Sequence, residues 1–253
     1  MTDELYPYQT EGVEFLRAHP RAFLADDMGL GKSAQLIRAS QGRTLVVAPA
    51  ALIDTGTWAG EVNRWADDPD RFTLTAYSRL WDPKQKGVHL RSEFAQAWDT
   101  VIFDEAHYLK NPKAKRTRAA MLLSPRADRL YLASGTPVSN WAHELFVPLQ
   151  LLNPTDAKPG GALGSYWRWV ETWFKVSGSP FSPNAKLIGR LIGCDASCSR
   201  RGVDDPCEHY RRFSALNLGD KFKRRLRDEV LTDLPELQHE VVPVPMRDRK
   251  SVV

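Results

Sequence analysis

The sequence has few cysteines, no long apolar run and no leader-like start, and each absence excludes a class of protein. Its three cysteines all lie between positions 194 and 207, which is not the arrangement of a secreted disulfide framework. No stretch approaches the roughly eighteen apolar residues of a membrane span. The start, MTDELYPYQT, is acidic and aromatic rather than basic and then apolar, so we recognise no signal peptide. We therefore expect a soluble intracellular protein of a reducing compartment, neither secreted nor held in a membrane.

The composition also lacks low-complexity or collagen-like bias. Hydrophobic residues make up 42% of the 253 residues, which predicts a packed globule with one large domain or one domain and a subdomain. The net charge is +4 and the sequence pI is near 9.0. This balance permits binding to nucleic acid but does not demand it.

Residues 26–35, DDMGLGKSAQ, form the first stretch with recognisable chemistry. They follow an apolar run at 22–25, which predicts a buried strand, and they precede a helix-forming segment at 34–39. A strand, a glycine-rich turn and a helix in this order are the context of a phosphate-binding loop. Gly29 and Gly31 can adopt positive φ, so the backbone can approach an anion at the helix N-terminus.

The polar residues of this loop predict its ligand. Lys32 would reach the β- and γ-phosphates of a nucleotide, and the Ser33 hydroxyl would ligate Mg²⁺. Asp26 departs from the generic pattern, which has a small residue at that place, and Gly-Lys-Ser also occurs in ordinary turns. A second site that handles the metal is therefore needed. The loop residues predicted to contact the nucleotide are Asp27, Met28, Gly29, Leu30, Gly31, Lys32, Ser33 and Ala34.

A second site follows a short apolar strand predicted at 101–103, which ends in Asp104-Glu105-Ala106-His107. A carboxylate at the end of a parallel strand is where a nucleotide-hydrolysing sheet holds Mg²⁺, directly or through water. We assign Asp104 to the metal and Glu105 to the polarisation of the attacking water. A solvated acidic turn is the alternative. The presence of both sites in one chain, about seventy residues apart, favours a nucleotide-binding fold.

Further apolar segments at 44–48, 72–76 and 129–133 predict strands that alternate with amphipathic segments. This alternation predicts an α/β fold with a doubly wound parallel sheet and helices on both faces. Ligands of such sheets bind at the carboxyl ends of the strands. The two sites fall at such ends, as does the tetrapeptide Ser134-Gly135-Thr136-Pro137.

An ordered set of motifs carries a family resemblance: LYPYQTEGVEFL, DDMGLGKS, LVVAPAAL…W, VIFDEAHYLKNP and LASGTPVSN. The set resembles the first RecA-like lobe of Swi/Snf-type helicase-related ATPases, in superfamily two. The resemblance continues through 144–154 and 224–235, so it spans nearly the whole chain. An aspartate at position 26 is normal in this family. The form DDMGLGK and the brevity of the lobe are more similar to the annealing-helicase-like branch than to chromatin remodellers.

The resemblance implies roles for single residues. Gln9 matches a glutamine that contacts adenine, although a glutamine on an exposed helix start is commonly just solvated. The residues assigned above to phosphate, magnesium and water activation hold the same roles in the family. The implied catalytic residues are Lys32, Asp104, Glu105 and His107. Coupling between the ATP site and the DNA track is implied for His107, Ser134, Gly135 and Thr136.

The resemblance also implies a function, namely the ATP-binding lobe of a DNA-dependent ATPase that translocates on double-stranded DNA. The implied cofactors are ATP and Mg²⁺, and the DNA contacts would be to phosphates rather than to bases. The family's second RecA-like lobe, with its arginine fingers, is absent from residues 1–253, so we expect it in cis or on a separate chain. Two alternatives stay open: an RNA-directed helicase lobe, and a non-catalytic ATP- and DNA-binding regulatory module.

The family pattern divides the chain into three parts. Residues 1–154 would form the RecA-like lobe, 155–235 a helical protrusion, and 236–253 the start of a connector to the second lobe. The aromatic residues at 166–174 are expected to pack in the protrusion. A basic cluster at 221–227 is expected on one helix, with a solvated or interlobe-packing role rather than direct DNA contact.

The protrusion contains one further group of residues with metal-binding chemistry. Three thiols and an imidazole within sixteen residues are a complete tetrahedral zinc set, although their spacing is not a familiar one. The alternative is three incidental buried thiols beside a surface histidine. The sequence leaves both open for Cys194, Cys198, Cys207 and His209.

Overall fold

The computed structural model describes residues 4–138, 142–154, 163–177, 186–194 and 207–230. Its strands are β1 (Arg21–Leu24), β2 (Thr44–Ala48), β3 (Phe72–Ala76), β4 (Trp98–Phe103), β5 (Ala127–Ala133), β6 (Phe174–Ser177), β7 (Lys186–Leu191) and β8 (Phe222–Lys223). Its helices are α1 (Pro7–Ala18), α2 (Lys32–Ala39), α3 (Ala50–Asp54), α4 (Thr57–Trp65), α5 (Lys115–Leu123), α6 (Phe146–Leu152), α7 (Tyr166–Trp173), α8 (Glu208–Asn217) and α9 (Arg227–Val230). None of these helices is long and apolar enough to cross a bilayer.

A parallel sheet organises the described residues. Its strand order is β3-β2-β4-β5-β1-β8, and every neighbouring pair is parallel. The predicted doubly wound parallel sheet is therefore confirmed. The strands predicted at 44–48 and 72–76 have the predicted bounds, whereas β4 and β5 begin earlier than predicted, at Trp98 and Ala127. The carboxyl ends of the central strands lie together along one edge of the sheet.

Side chains of the central strands alternate between two hydrophobic clusters, as the period of a strand requires. In β2, Leu45 and Val47 belong to one cluster and Val46 and Ala48 to the other, and all four are fully buried. The first cluster includes apolar residues of α5, α6, α7 and α8, and the second includes those of α1, α2 and α4. Helices therefore cover both faces, as predicted.

The predicted protrusion contains a β-hairpin as well as helices. Strands β6 and β7 form a two-stranded antiparallel sheet beside α7 and α8. Trp169, Phe174 and Phe213 pack together with ring centroids 5.2 to 5.7 Å apart, and all three are buried. The expected aromatic packing is thus present, although Trp167 is 40% exposed. The division at residue 154 stays a prediction, and residues 236–253 lie outside the described ranges.

The prediction that the basic cluster at 221–227 lies on one helix is wrong. Strand β8 pairs with the end of β1, and only Arg227 of the cluster lies on α9. The backbone N–H of Ala25 donates to the Lys223 carbonyl at 2.7 Å, and that of Asp27 to the Arg225 carbonyl at 3.0 Å. This pairing across the chain outweighs the local helix propensity of the basic residues.

Candidate nucleotide site

The loop between β1 and α2 has the backbone conformation that its glycines predict. Gly29 and Gly31 have φ of 82° and 67°, and Gly31 is the N-cap residue of α2. A Cβ at Gly31 would lie 2.2 Å from Nε2 of Gln9, so a side chain there would collide with that amide. The loop therefore needs glycine both for its turn and for its contact with α1.

Gln9 is buried against this loop, which excludes the solvated helix start considered above. Its Nε2 donates to the Leu30 carbonyl at 3.3 Å, and its Oε1 accepts from the Tyr6 backbone N–H at 3.0 Å. A side-chain amide has two N–H donors and two acceptor lone pairs. Outside these two bonds the amide has one lone pair and one N–H, and the N–H also interacts with the Tyr8 hydroxyl. A ligand edge that presents a donor beside an acceptor would pair with both groups.

Lys32 begins α2 and faces the carboxylates of the second site. Its Nζ donates to the carbonyls of Asp26 at 2.9 Å and Asp27 at 3.0 Å. Burial lowers the pKa of Lys32, and the negative charges of Glu105 and then Asp104 oppose that shift. The structure thus places the ammonium group of Lys32 close enough to Glu105 and Asp104 for their charges to interact.

Asp104 follows β4 and is buried, with both carboxylate oxygens held. Its Oδ2 accepts from Trp58 Nε1 at 2.9 Å, and its Oδ1 accepts from the Glu105 backbone N–H at 2.9 Å. Burial raises the pKa of Asp104, and the Trp58 hydrogen bond opposes this. Each oxygen keeps a lone pair, so the oriented carboxylate fits a hydrated Mg²⁺ ion.

Glu105 has a φ of 49°, the one positive value found for a non-glycine residue in the described ranges. Such backbone strain is tolerated where the surrounding structure holds it, often at functional sites. Its Oε2 accepts from Ser134 Oγ at 3.1 Å and lies 3.1 Å from His107 Nδ1. The hydrogen bond with His107 is the largest cause that lowers the pKa of Glu105, so this side chain is a carboxylate at neutral pH.

The segment after β5 completes the hydrogen-bond network around Glu105 and His107. Ser134 Oγ lies 2.9 Å from His107 Nδ1 and accepts from the Thr136 backbone N–H at 3.1 Å. A Cβ at Gly135 would lie 2.8 Å from Met28 Cγ and 3.5 Å from Lys32 Nζ, so this glycine lets the segment pack against the loop. The ends of β4, β5 and β1 therefore meet at one place.

The other predicted loop residues differ in what they can offer a ligand. Leu30 and Ala34 have buried side chains, so only their backbone groups can face a phosphate. Asp27 Oδ1 accepts from the Met28 backbone N–H at 2.9 Å, which shapes the turn. Ser33 is half-buried on the first turn of α2, where a magnesium-ligating hydroxyl would be placed.

The cysteine and histidine residues of the protrusion form a second cluster. The ligand atoms of Cys194, Cys207 and His209 all lie within 4.8 Å of one another, and the two Sγ atoms are 3.5 Å apart. A Cβ at Gly193 would lie 2.5 Å from the His209 ring, so glycine makes room for the imidazole. Cys198, the remaining predicted ligand, lies outside the described residues.

A model of the SNF2-related domain matches residues 8–252, which is nearly the whole chain. This chain belongs to the SNF2-related domain family.

Named members of the SNF2-related family are similar to the chain over most of its length. It is 30% identical over 259 residues to a SWI/SNF-related matrix-associated actin-dependent regulator of chromatin subfamily A-like protein 1 from Xenopus laevis, covering 95% of this chain and 24% of that protein. It is 26% identical over 265 residues to the DNA annealing helicase and endonuclease ZRANB3 of Bos taurus, covering 95% and 22%. The predicted resemblance is confirmed, and the chain spans about a quarter of the length of these curated relatives.

A solved member of the SNF2 family has the same fold. The Sulfolobus solfataricus SWI2/SNF2 ATPase core in complex with dsDNA matches with a TM-score of 0.63 and 23% identity, covering 93% of this chain and 47% of that one. At this identity the likeness establishes the fold alone. The predicted RecA-like lobe is therefore confirmed as the architecture of this SNF2-related domain.

Sequence reasoning missed several residues of this candidate site. Trp58 contacts Asp104 directly, and the Tyr77 hydroxyl donates to the Asp104 carbonyl at 2.8 Å. Arg225 donates to Asp26 Oδ1 and Gln35 Nε2 donates to the Leu30 carbonyl, so both hold the loop between β1 and α2. Two signals were present in the sequence: Trp58 closes the motif LVVAPAAL…W, and Asp26 stands where generic phosphate loops have a small residue.

Proposed function

We propose that this chain is the ATP-binding lobe of a DNA-dependent ATPase that translocates on double-stranded DNA. The observation that carries the proposal is the convergence of Lys32, the Asp104–Glu105 pair and Ser134 at one edge of the parallel sheet. Phosphate-binding, metal-holding and water-activating groups are the parts that phosphoryl transfer from a nucleotide requires. Membership of the SNF2-related family supports the same reading.

Each part of the site has a role in this proposal. Lys32 binds the β- and γ-phosphates as a point charge, and Gln9 contacts the adenine edge. Ser33 and Asp104 would hold Mg²⁺, which when bound would neutralise charge on the phosphates. Glu105 polarises the attacking water as a carboxylate, and its lowered pKa means that it is ionised at neutral pH.

Ser134 and His107 orient the Glu105 carboxylate in this proposal. Ser134 also contacts the backbone of Thr136, so a movement of the segment after β5 would change the position of the carboxylate. We propose this contact, together with Gly135 against the loop, as the coupling between the ATP site and the DNA track.

Duplex DNA is the proposed track. One relative is named as a DNA annealing helicase, and the matched ATPase core was solved with dsDNA. A basic surface follows the Asp104–Glu105 turn, where Lys115 and Arg116 line a cavity with Tyr108 and Ser78. Contacts from such a surface would be to phosphates, so binding would be largely independent of sequence and would weaken with salt.

A second RecA-like lobe is part of the proposal. The chain covers 47% of the matched ATPase core, which supports a partner lobe of similar size in the active unit. An arginine supplied from outside the nucleotide-binding lobe is worth roughly 10³- to 10⁵-fold in rate in related phosphoryl-transfer enzymes. We therefore expect residues 1–253 alone to bind ATP weakly and to hydrolyse it barely above background.

The test is the steady-state ATPase rate with and without duplex DNA. Residues 1–253 should turn over slowly and respond little to DNA, and the addition of a second lobe, fused or separate, should give DNA-stimulated turnover. Glu105→Gln should then abolish turnover while ATP binding survives. Absence of DNA-stimulated turnover in the two-lobed protein would favour the non-catalytic module, against which the intact Lys32, Asp104 and Glu105 argue.

We also propose that Cys194, Cys207 and His209 hold Zn²⁺, with Cys198, which the sequence predicts, as the fourth ligand. Two thiolates at 2.3 Å from a tetrahedral zinc ion would be about 3.8 Å apart, close to the 3.5 Å between these sulfur atoms. Gly193 provides the space for the imidazole. When bound, the ion would cross-link the end of the β6–β7 hairpin to the start of α8. Thiolate ligands require reduced cysteines, which agrees with the reducing intracellular compartment that we propose for the chain.

A further inference from the structure

Asp26 is fully buried at the start of the phosphate loop, and its partner comes from the far end of the described chain. Arg225 Nε donates to Asp26 Oδ1 at 3.0 Å, and Arg225 Nη2 donates to Asp26 Oδ2. A buried carboxylate is costly unless it is paired and hydrogen-bonded. The bidentate fork of arginine meets that need in a way that a lysine ammonium does not.

Arg225 also holds two other parts of the nucleotide site. It donates to the carbonyl of Tyr8, the residue before Gln9, and its Nη2 donates to Gln35 Oε1 at 2.8 Å. Gln35 Nε2 in turn donates to the Leu30 carbonyl at 3.1 Å, between Gly29 and Gly31 of the turn. One guanidinium therefore joins the start of α1 to the start of the loop and, through Gln35, to its glycine turn.

The backbone around Arg225 extends the same connection. The parallel pairing of β8 with β1 continues past the strand, through the bonds from Ala25 and Asp27 to the carbonyls of Lys223 and Arg225. Arg224 Nη1 donates to the Ala25 carbonyl at 2.7 Å and to the Gly135 carbonyl at 3.3 Å. The segment thus contacts the phosphate loop and the segment after β5 together.

From these contacts we infer that Arg225 is a positioning residue for the phosphate loop, acting through Asp26 and Gln35. The contacts of residues 222–225 hold the loop between β1 and α2 in the conformation that binds phosphate. They therefore increase the affinity for Mg·ATP. By linkage, nucleotide binding stabilises these contacts. This inference rests on the proposed ATP site.

The first test compares Arg225→Lys with Arg227→Lys by calorimetric titration of the 253-residue chain with Mg·ATP. The temperature is kept well below the unfolding midpoint of each protein. Arg225→Lys keeps the charge but loses the fork, and we expect the Kd to rise about tenfold, equivalent to about 1.4 kcal/mol. Arg227 is exposed on α9, so its variant should bind like the unmodified chain.

A second variant, Gly12→Ala, should disturb the contact between Gln35 and Arg225 without changing a charge. A Cβ at Gly12 would lie 1.7 Å from Gln35 Oε1 and 2.8 Å from Arg225 Nη2. Gly12→Ala should therefore displace Gln35 and raise the Kd for Mg·ATP, although alanine is the better helix former. A purely structural role would lower the unfolding midpoint of both variants and leave the Kd of the folded proteins unchanged, which would overturn the inference.

If the variants do not fold, hydrogen exchange on the unmodified chain tests the inference. Saturating Mg·ATP should slow amide exchange in a peptide covering 222–226, whereas a peptide covering 166–173 should not change. Protection of the loop at 25–33 without protection at 222–226 would overturn the inference while leaving the proposed function intact. If the unmodified chain does not bind Mg·ATP at all, the proposed function fails and the inference fails with it.

Discussion

The indole Nε1–H of Trp58 donates a 2.9 Å hydrogen bond to Oδ2 of Asp104, joining α4 to the end of β4. Both residues are buried. Burial raises the pKa of the Asp104 carboxyl group, and the indole hydrogen bond stabilises its ionised form. Trp58 therefore helps to keep the proposed metal-holding carboxylate charged.

Trp58→Phe should shift the acid limb of Mg·ATP binding to higher pH. The change removes a donor to the anion, so the pKa of Asp104 rises further and the carboxylate is protonated at a higher pH. A hydrogen bond to a charged group is worth about 1.5 to 3 kcal/mol, which corresponds to a shift of about 1 to 2 pH units. The measurement is Mg·ATP affinity against pH. Trp65→Phe, at another buried tryptophan of α4, is the matched control, and superimposable acid limbs for all three proteins would contradict the role of Trp58.

Glu105→Gln should flatten the dependence of stability on pH in the acid range. The folded-state pKa of Glu105 is lowered, first by the hydrogen bond with His107, so its contribution is fully present above the unfolded pKa of about 4.3. That contribution is lost as the pH falls through the folded pKa. Denaturant titrations from pH 7 downward measure the effect, with Glu14→Gln on the exposed face of α1 as control. An equal fall in stability for Glu105→Gln and the unmodified chain would show that Glu105 is not held as described.

Zinc removal should speed amide hydrogen exchange in the protrusion and leave the parallel sheet folded. Protein purified without chelator should carry about one zinc ion per chain, and Cys207→Ser or Cys198→Ser should lose it, whereas the neighbouring change Glu208→Gln should not. Elemental analysis gives the stoichiometry, and hydrogen exchange at 186–194 and 207–217 gives the local effect. Well-folded protein without zinc would refute the metal site.

The sequence allowed the site to be predicted where its residues are contiguous. The loop at 26–35, the Asp104–Glu105 pair and Ser134–Thr136 each follow a strand, and parallel strands bring their carboxyl ends together. The partners of these residues could not be found in this way. Arg225 lies 199 positions from Asp26, and the sequence predicts a helix for its segment because the pairing with β1 leaves no local pattern. The burial of Gln9 likewise depends on Gly31, which is distant in the chain.

The most direct test of the nucleotide site is a calorimetric titration of the 253-residue chain with Mg·ATP, compared with Lys32→Ala. Lys113→Ala, on the exposed turn before α5, is the matched control. A charge-assisted hydrogen bond is worth about 1.5 to 3 kcal/mol, so we expect Lys32→Ala to weaken binding by at least about tenfold and the control to bind normally. Equal affinity of the unmodified chain and Lys32→Ala would contradict the assignment of this loop.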